Sequence, residues 1–269
     1  MAAPDRPRRE FPFWLLAAVL IAAVFAWMIA ADGDYRVIFR ALLRGVATSL
    51  WISFVAFFFA CLLGLLVAIA RRSALRVVRE IATFYVEIVR GVPALVLLFY
   101  VAFVGAPALV AAWNWVAAWT GGVIPQGTVR DFSLVWRAIF ALTISYSAFL
   151  SEIFRAGIES VARPQVEGAY ALGLSRYATL RNVILPQAIR VVLPPLGNDF
   201  VAMIKDSALV SSLGVQDITQ LGKIYSSSTF LFFETYNVVA YLYLVMTVTL
   251  SLLVRWLEAR LKRQGWTGT

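Results

Sequence analysis

The chain has no histidine among its 269 residues. That removes the side chain most used as a general base near neutral pH and as a metal ligand. A single cysteine, Cys61, is present, so no intrachain disulfide can form. It lies in an apolar run and reads as core filler or as part of a lipid-facing surface. Charge is scarce: Asp, Glu, Lys and Arg make up 14% of the chain, where a soluble globular protein has about 25%. Acidic groups are the scarcer sign, 15 against 24 basic ones, for a net charge of +9. A phosphate-binding loop is missing too. It needs G-x-x-x-x-G-K-[ST], whose backbone N–H groups cradle phosphates. The one Gly-Lys pair, Gly222-Lys223, has Asp217 in place of the first glycine and Ile224 in place of Ser or Thr. No convergent set of catalytic side chains remains, and an enzyme would need one. The chain has no internal repeat and no low-complexity linker, so it reads as a single domain.

Apolar residues are what the chain has in excess. They make up 61% of it, and the mean hydropathy is +0.80. This excludes a disordered chain, a fibrous chain and an ordinary soluble enzyme. It predicts an all-α membrane protein that crosses the bilayer several times. A hydrocarbon core of about 30 Å takes about 20 apolar residues as a helix. Six spans follow, at 13–31, 42–70, 82–103, 135–154, 191–213 and 236–254. The first competes with a cleaved signal peptide, because Arg6, Arg8 and Arg9 precede it. Its apolar run is longer than a signal core of about 7–15 residues, and Asp32-Gly33-Asp34-Tyr35 makes a poor cleavage site, so a retained span is favoured.

Basic residues set the orientation. With both termini inside, 16 basic residues fall on inner segments and 6 on outer ones, as the positive-inside rule expects. In a soluble protein the excess would suggest nucleic acid; here it marks the cytoplasmic face, and no nucleic-acid partner is expected. Arg36, Arg40 and Arg44 run against the bias. Spaced by four, they share one helix face and suit the outer interface. The outer loop 105–136 carries Trp113, Trp115, Trp119 and Trp136. Indoles favour the headgroup level, so an interfacial belt and a receptor-binding surface both fit.

The inner loop 156–190 has a clear local grammar. Pro164 suits a first helical turn and Gly173 a stop just past the end. Ser175 can cap a second helix running towards Leu185, and Pro186 marks entry to the next span. Ala169, Tyr170, Leu172 and Leu174 are apolar residues in a segment facing water. They pack on this chain's own helix ends, or they fit a groove on a partner.

Glu167-Gly168-Ala169, then Gly173 after three intervening residues, then Val183-Ile184-Leu185-Pro186 after nine more, resemble the EAA loop of importer permeases in the ABC transporter superfamily. Gly168 replaces the first alanine of that pattern and Val183 replaces an isoleucine. Further motifs follow in order: Arg90-Gly91-Val92-Pro93, then Ser151-Glu152-Ile153-Phe154-Arg155, then Leu193-Pro194-Pro195-Leu196-Gly197-Asn198, then Lys205-Asp206-Ser207. The series looks like the polar amino acid permeases of the histidine/glutamine type.

The resemblance implies a five-helix permease core at 42–258 with one extra N-terminal helix at 13–31, and cytoplasmic tails at 1–12 and 259–269. It implies a second permease subunit, identical or homologous, and an ABC ATPase subunit gripped through the EAA loop (Glu167, Gly168, Ala169, Gly173, Leu185, Pro186). It implies an external solute-binding protein that delivers a polar amino acid across the bacterial cytoplasmic membrane. No catalytic, cofactor or metal residue is expected on this chain, because ATP and Mg belong to the ATPase. Opines, sulfur amino acids and other small polar solutes are alternative cargoes, and a non-transporting scaffold is a weaker one.

The fifth span carries the ionisable residues. Pro194, Pro195 and Gly197 should interrupt its helix. Irregular backbone at membrane depth has to be buried in protein or line a wet cavity. Asn198, Asp199, Lys205 and Asp206 are therefore the candidate solute pathway. Asp199 suits an ammonium and Lys205 a carboxylate. A structural Lys205–Asp206 arrangement is the competing reading. Glu152 and Arg155, three apart, can pair on one helix face near the inner boundary.

Overall fold

A computed structural model describes residues 13–121 and 123–263. The tails 1–12 and 264–269, with Arg6, Arg8 and Arg9, lie outside the described residues. Every regular element among those described is helical. Helix α1 spans Phe13–Ala31, α2 Gly33–Ala70 and α3 Arg76–Gly91. Helices α4 (Ala94–Tyr100) and α5 (Ala106–Trp119) join through a π-helical turn at Val101–Gly105. Then come α6 (Leu134–Glu159), α7 (Arg163–Ala171), α8 (Arg176–Thr179), α9 (Leu185–Asp206), α10 (Ile218–Thr229) and α11 (Phe232–Arg263). Four stretches are long and apolar enough to cross a bilayer: Gly33–Ala70, Ala94–Trp119, Leu134–Glu159 and Phe232–Arg260. With the shorter apolar α1 and the more polar α9, they form a multi-span all-α bundle.

Small residues hold the centre together. Along α2, Ala56, Ala60, Gly64 and Ala68 recur every fourth position, and all are buried. This stripe packs on α6, where Ala138, Ala141, Ala148 and Ser151 are buried. Lipid tails are as apolar as Leu, so helices in a membrane associate through close packing, which small residues permit. At Gly64 a Cβ atom would lie 2.9 Å from the Ser147 carbonyl oxygen. A second core gathers Tyr35, Ile38 and Leu42 of α2 with Ile218 of α10 and Val238, Val239 and Leu242 of α11.

Three boundaries differ from the sequence reading. Helix α2 begins at Gly33, not near 42, because the Asp32 side chain caps it by accepting from the Asp34 N–H at 2.8 Å. Its 38 residues reach about 57 Å at 1.5 Å per residue, well beyond a hydrocarbon core. Arg36, Arg40 and Arg44 lie on its exposed face, opposite Tyr35, Ile38 and Leu42.

The third span is not 82–103. Val92 is extended (φ −94°, ψ 134°), as a residue before proline tends to be, and this ends α3. The crossing helix is Ala94–Trp119. The sequence reading puts 105–136 in an outer loop. Pro107, however, closely follows the π-helical turn and the helix continues through it, its lost backbone donor tolerated as in other packed membrane helices. So Trp113, Trp115 and Trp119 ride on a helix. The rest of the outer loop is pinned to it. Trp113 donates to the Pro125 carbonyl at 3.1 Å, and Asn114 exchanges two hydrogen bonds with Gly127.

Pro194 and Pro195 do not interrupt α9. Proline's φ near −65° fits a helix; what it removes is a backbone donor, and a packed membrane helix tolerates that loss. The irregular backbone sits at the two ends instead. A π-helical turn at Leu180–Ile184 links α8 to α9, and a 3-10 turn at Ser207–Leu213 ends at Gly214 in the left-handed region (φ 82°).

Candidate functional site

Helix α7 is fixed at its ends and bare along its sides. Pro164 sits in its first turn. At its far end Gly173 takes φ 81°, and two backbone bonds close the turn. The Leu174 N–H donates to the Ala169 carbonyl at 3.1 Å and the Gly173 N–H to the Tyr170 carbonyl at 2.9 Å. This is the Schellman pairing, which needs a left-handed residue and so favours glycine. Ser175 then caps α8, accepting from the Ala178 N–H at 3.2 Å. A side-chain bridge ties the loop to the membrane helix: the Gln187 amide donates to the Gln165 amide oxygen at 2.8 Å and to the Val183 carbonyl at 3.0 Å.

What α7 leaves exposed is informative. Ala169 alone is buried; Glu167 and Gly168 face outwards. Glu167 makes no hydrogen bond or ion pair to any described residue, so it neither caps a backbone nor folds onto its own loop. Leu172 is 84% exposed, and Tyr170, Tyr177 and Leu185 are also exposed. Pro186 is exposed in the first turn of α9. The apolar side chains of this loop therefore split. Ala169 packs inwards, whereas Tyr170, one turn on from Glu167, and Leu172 at the helix end are left exposed.

Helix α9 sorts its candidates into two stripes, since positions seven apart share a helix face. Asn198 and Lys205 lie on an exposed stripe, Asp199 and Asp206 on a half-buried one. Tyr146 of α6 donates its hydroxyl to Asp206 Oδ2 at 2.7 Å. No ion pair joins Lys205 to Asp206 among the described residues. The two charges therefore point apart, and Lys205 is left with its cation exposed.

A cluster not foreseen from the sequence surrounds Glu152. Arg155 grips its Oε2 through Nε at 2.9 Å and Nη2 at 2.6 Å, as the spacing of three suggests. Arg71 from the end of α2 binds Oε1, and Arg90 from the end of α3 lies 3.7 Å from the same oxygen. Arg155 also reaches Glu159 at 2.7 Å, and Arg72 stands 3.7 Å from Glu159. Two carboxylates thus tie the ends of three helices with four guanidiniums. The i, i+3 pair was legible; the cross-helix partners Arg71 and Arg90 carry no sequence signal beyond their charge.

On the opposite side, Asp131 accepts from the backbone N–H and hydroxyl of Thr128 at 2.7 and 2.9 Å. Those bonds, the backbone one first, hold its carboxyl below the usual range. Asp217 is fully buried and caps α10, accepting from the Gln220 and Thr219 N–H groups and from the Tyr243 hydroxyl.

The described residues thus form a membrane bundle with an exposed helix–turn–helix at one end. The chain belongs to the family described as binding-protein-dependent transport system inner membrane component, whose model matches residues 60–263. Among its relatives, the probable glutamine ABC transporter permease protein GlnM of Bacillus subtilis is 35% identical over 84% of this chain and 95% of its own. The glutamine transport system permease protein GlnP of Escherichia coli is 33% identical, over 82% and 93%. A solved amino acid ABC transporter with histidines is 35% identical, with a TM-score of 0.68 over 82% of this chain and 94% of that one. The MetNI methionine transporter, at 21% identity and TM-score 0.59, shares the fold.

Proposed function

We propose that the chain is the permease subunit of an ATP-driven importer of a polar amino acid, working in a bacterial cytoplasmic membrane with both termini inside. The observation that carries this is helix α7: fixed at both ends and leaving Glu167, Tyr170 and Leu172 exposed. Such a surface suits a groove on a soluble partner. That partner is an ABC ATPase, which holds the ATP and Mg that this chain has no loop to bind. A second permease subunit completes the pathway, and an external solute-binding protein delivers the cargo.

Glu167, Gly168, Ala169, Gly173, Leu185 and Pro186 form the coupling loop in this reading. Asn198, Asp199, Lys205 and Asp206 line the solute route. The exposed cation of Lys205 suits the solute carboxylate, and the carboxylates of Asp199 and Asp206 suit its ammonium. Relatives named for glutamine support an amino acid cargo. The nopaline transport system permease protein NocM of Agrobacterium fabrum, 33% identical over 85% of this chain, favours an opine as the second reading.

The test is a binding screen of the cognate solute-binding protein against amino acids and opines, followed by uptake of the best ligand into proteoliposomes holding the complete complex. ATP-dependent uptake of a polar amino acid is expected. Uptake of none of these solutes would overturn the reading.

A further inference from the structure

A groove of about 860 Å³ runs between α2, α9 and α11 and opens sideways from the bundle. Its walls are apolar. Phe54 and Phe58 of α2, Leu193 of α9, and Leu253 and Leu257 of α11 line it and stay substantially exposed. Its floor is fixed. Phe57 and Phe200 meet with ring centroids 5.0 Å apart, and at Gly197 a Cβ would lie 2.6 Å from Val254 Cγ1. The groove is therefore built into the packing of three helices.

Charge appears on its lining only at the α11 end, as Glu258 and Arg260. Residues two apart on a helix point in nearly opposite directions, so each stands on one edge of the apolar stripe formed by Leu250, Leu253, Val254 and Leu257. Glu258 has no ion-pair partner among the described residues, and Arg260 rests over the Trp256 ring at 5.4 Å. A protein helix laid in this groove would cover a carboxylate and a guanidinium that do not pair with each other, which is costly. A phospholipid has the matching distribution: an apolar tail, then a phosphate and an amine side by side.

We propose that this groove holds an inner-leaflet phospholipid with a primary-amine headgroup. Its phosphate sits on Arg260, whose guanidinium geometry suits phosphate oxygens. Its ammonium donates to Glu258, and its acyl chain lies along Phe54, Phe58 and Leu193. The leaflet follows from the termini-inside orientation; the site itself does not depend on that orientation.

The test is native mass spectrometry of the purified full-length chain in mild detergent. The chain is offered phosphatidylethanolamine, phosphatidylcholine or phosphatidylglycerol with the same acyl chains. Phosphatidylcholine keeps the charge but cannot donate a hydrogen bond from its trimethylated nitrogen. The chain should retain phosphatidylethanolamine about 10-fold better than either other lipid, the size of one charge-assisted hydrogen bond. Glu258→Gln should bring phosphatidylethanolamine and phosphatidylcholine to parity, and Arg260→Gln should lower retention of both. Leu193→Trp, which fills the groove, should lose the lipid whatever its headgroup. Equal retention of the three lipids, a preference for phosphatidylglycerol, or unchanged retention by Leu193→Trp would overturn the proposal. So would efficient cross-linking of two permease copies through Cys61, which lines the groove and is the chain's one thiol. That result would put a second copy where the lipid belongs.

Discussion

Helix α7 follows the Glu152 cluster closely in the chain, yet the two are built in opposite ways. The cluster is held by side chains. Glu152 draws Arg71, Arg90 and Arg155 from three helix ends, with only about a fifth of its side chain exposed. Helix α7 is held chiefly by backbone, through a proline in its first turn and a left-handed glycine past its last, with a single side-chain bond to it among the described residues, from Gln187 to Gln165. A cluster that spends every acceptor on its own chain keeps the frame together. A helix that keeps its side chains unspent is free to meet something else. The difference separates a structural region from a presented one, although both are rich in charge.

That contrast can be broken at the frame first. Glu152→Leu leaves Arg71 and Arg90 without a counter-charge and Arg155 with Glu159 alone. Removing one member of a buried pair costs about 3–5 kcal/mol, and the partial exposure here argues for about 2–3. The expected outcome is a large fall in Tm of the solubilised protein, with poor membrane yield. Next comes Gly64→Val, which drives a branched side chain into the Ser147 carbonyl and should cost about 1–3 kcal/mol by overpacking. Thermal unfolding in detergent would detect it. An unchanged Tm would remove the close α2–α6 approach from the account.

At α7 the effects should be smaller on stability and larger on function. Gly173→Val forces a β-branched residue into φ 81°, at a cost of about 1–2 kcal/mol confined to the loop. Global Tm should barely move, while protease cleavage between α7 and α8 should speed up. Smallest is Gly168→Ala. A Cβ there meets nothing within 4 Å, so the change should firm the helix by up to about 1 kcal/mol and leave Tm and uptake intact. A loss of uptake from this change would mean that α7 needs flexibility, and would undo the contrast.

Much of this was legible in the sequence because its signals are local. Pro164, Gly173 and Ser175 lie within a few residues of the ends they fix, and the structure uses each as its chemistry suggests. Spans read from hydropathy alone were found approximately. Their ends were missed where one residue's geometry decides: Asp32 extends α2 outwards, and Pro93 splits the third span. Pro194-Pro195 misled because proline's lost donor is a local fact, whereas the tolerance for it comes from neighbouring helices. The Arg71 and Arg90 partners of Glu152 were out of reach for the same reason. They come from distant segments, and nothing in the spacing of one chain says which arginine meets which glutamate.

The central claim is that α7 couples this bundle to a separate ATPase through the groups it leaves bare. Its most direct test is ATP-driven uptake into proteoliposomes containing the chain, its ATPase and its binding protein, compared between the native chain and Glu167→Lys, with ATPase pull-down in parallel. Gly173→Asp serves as the backbone counterpart. The account predicts normal insertion of both variants and at least about a 10-fold loss of uptake, a change of about 1.4 kcal/mol in coupling. Uptake by both variants at the native rate would contradict it.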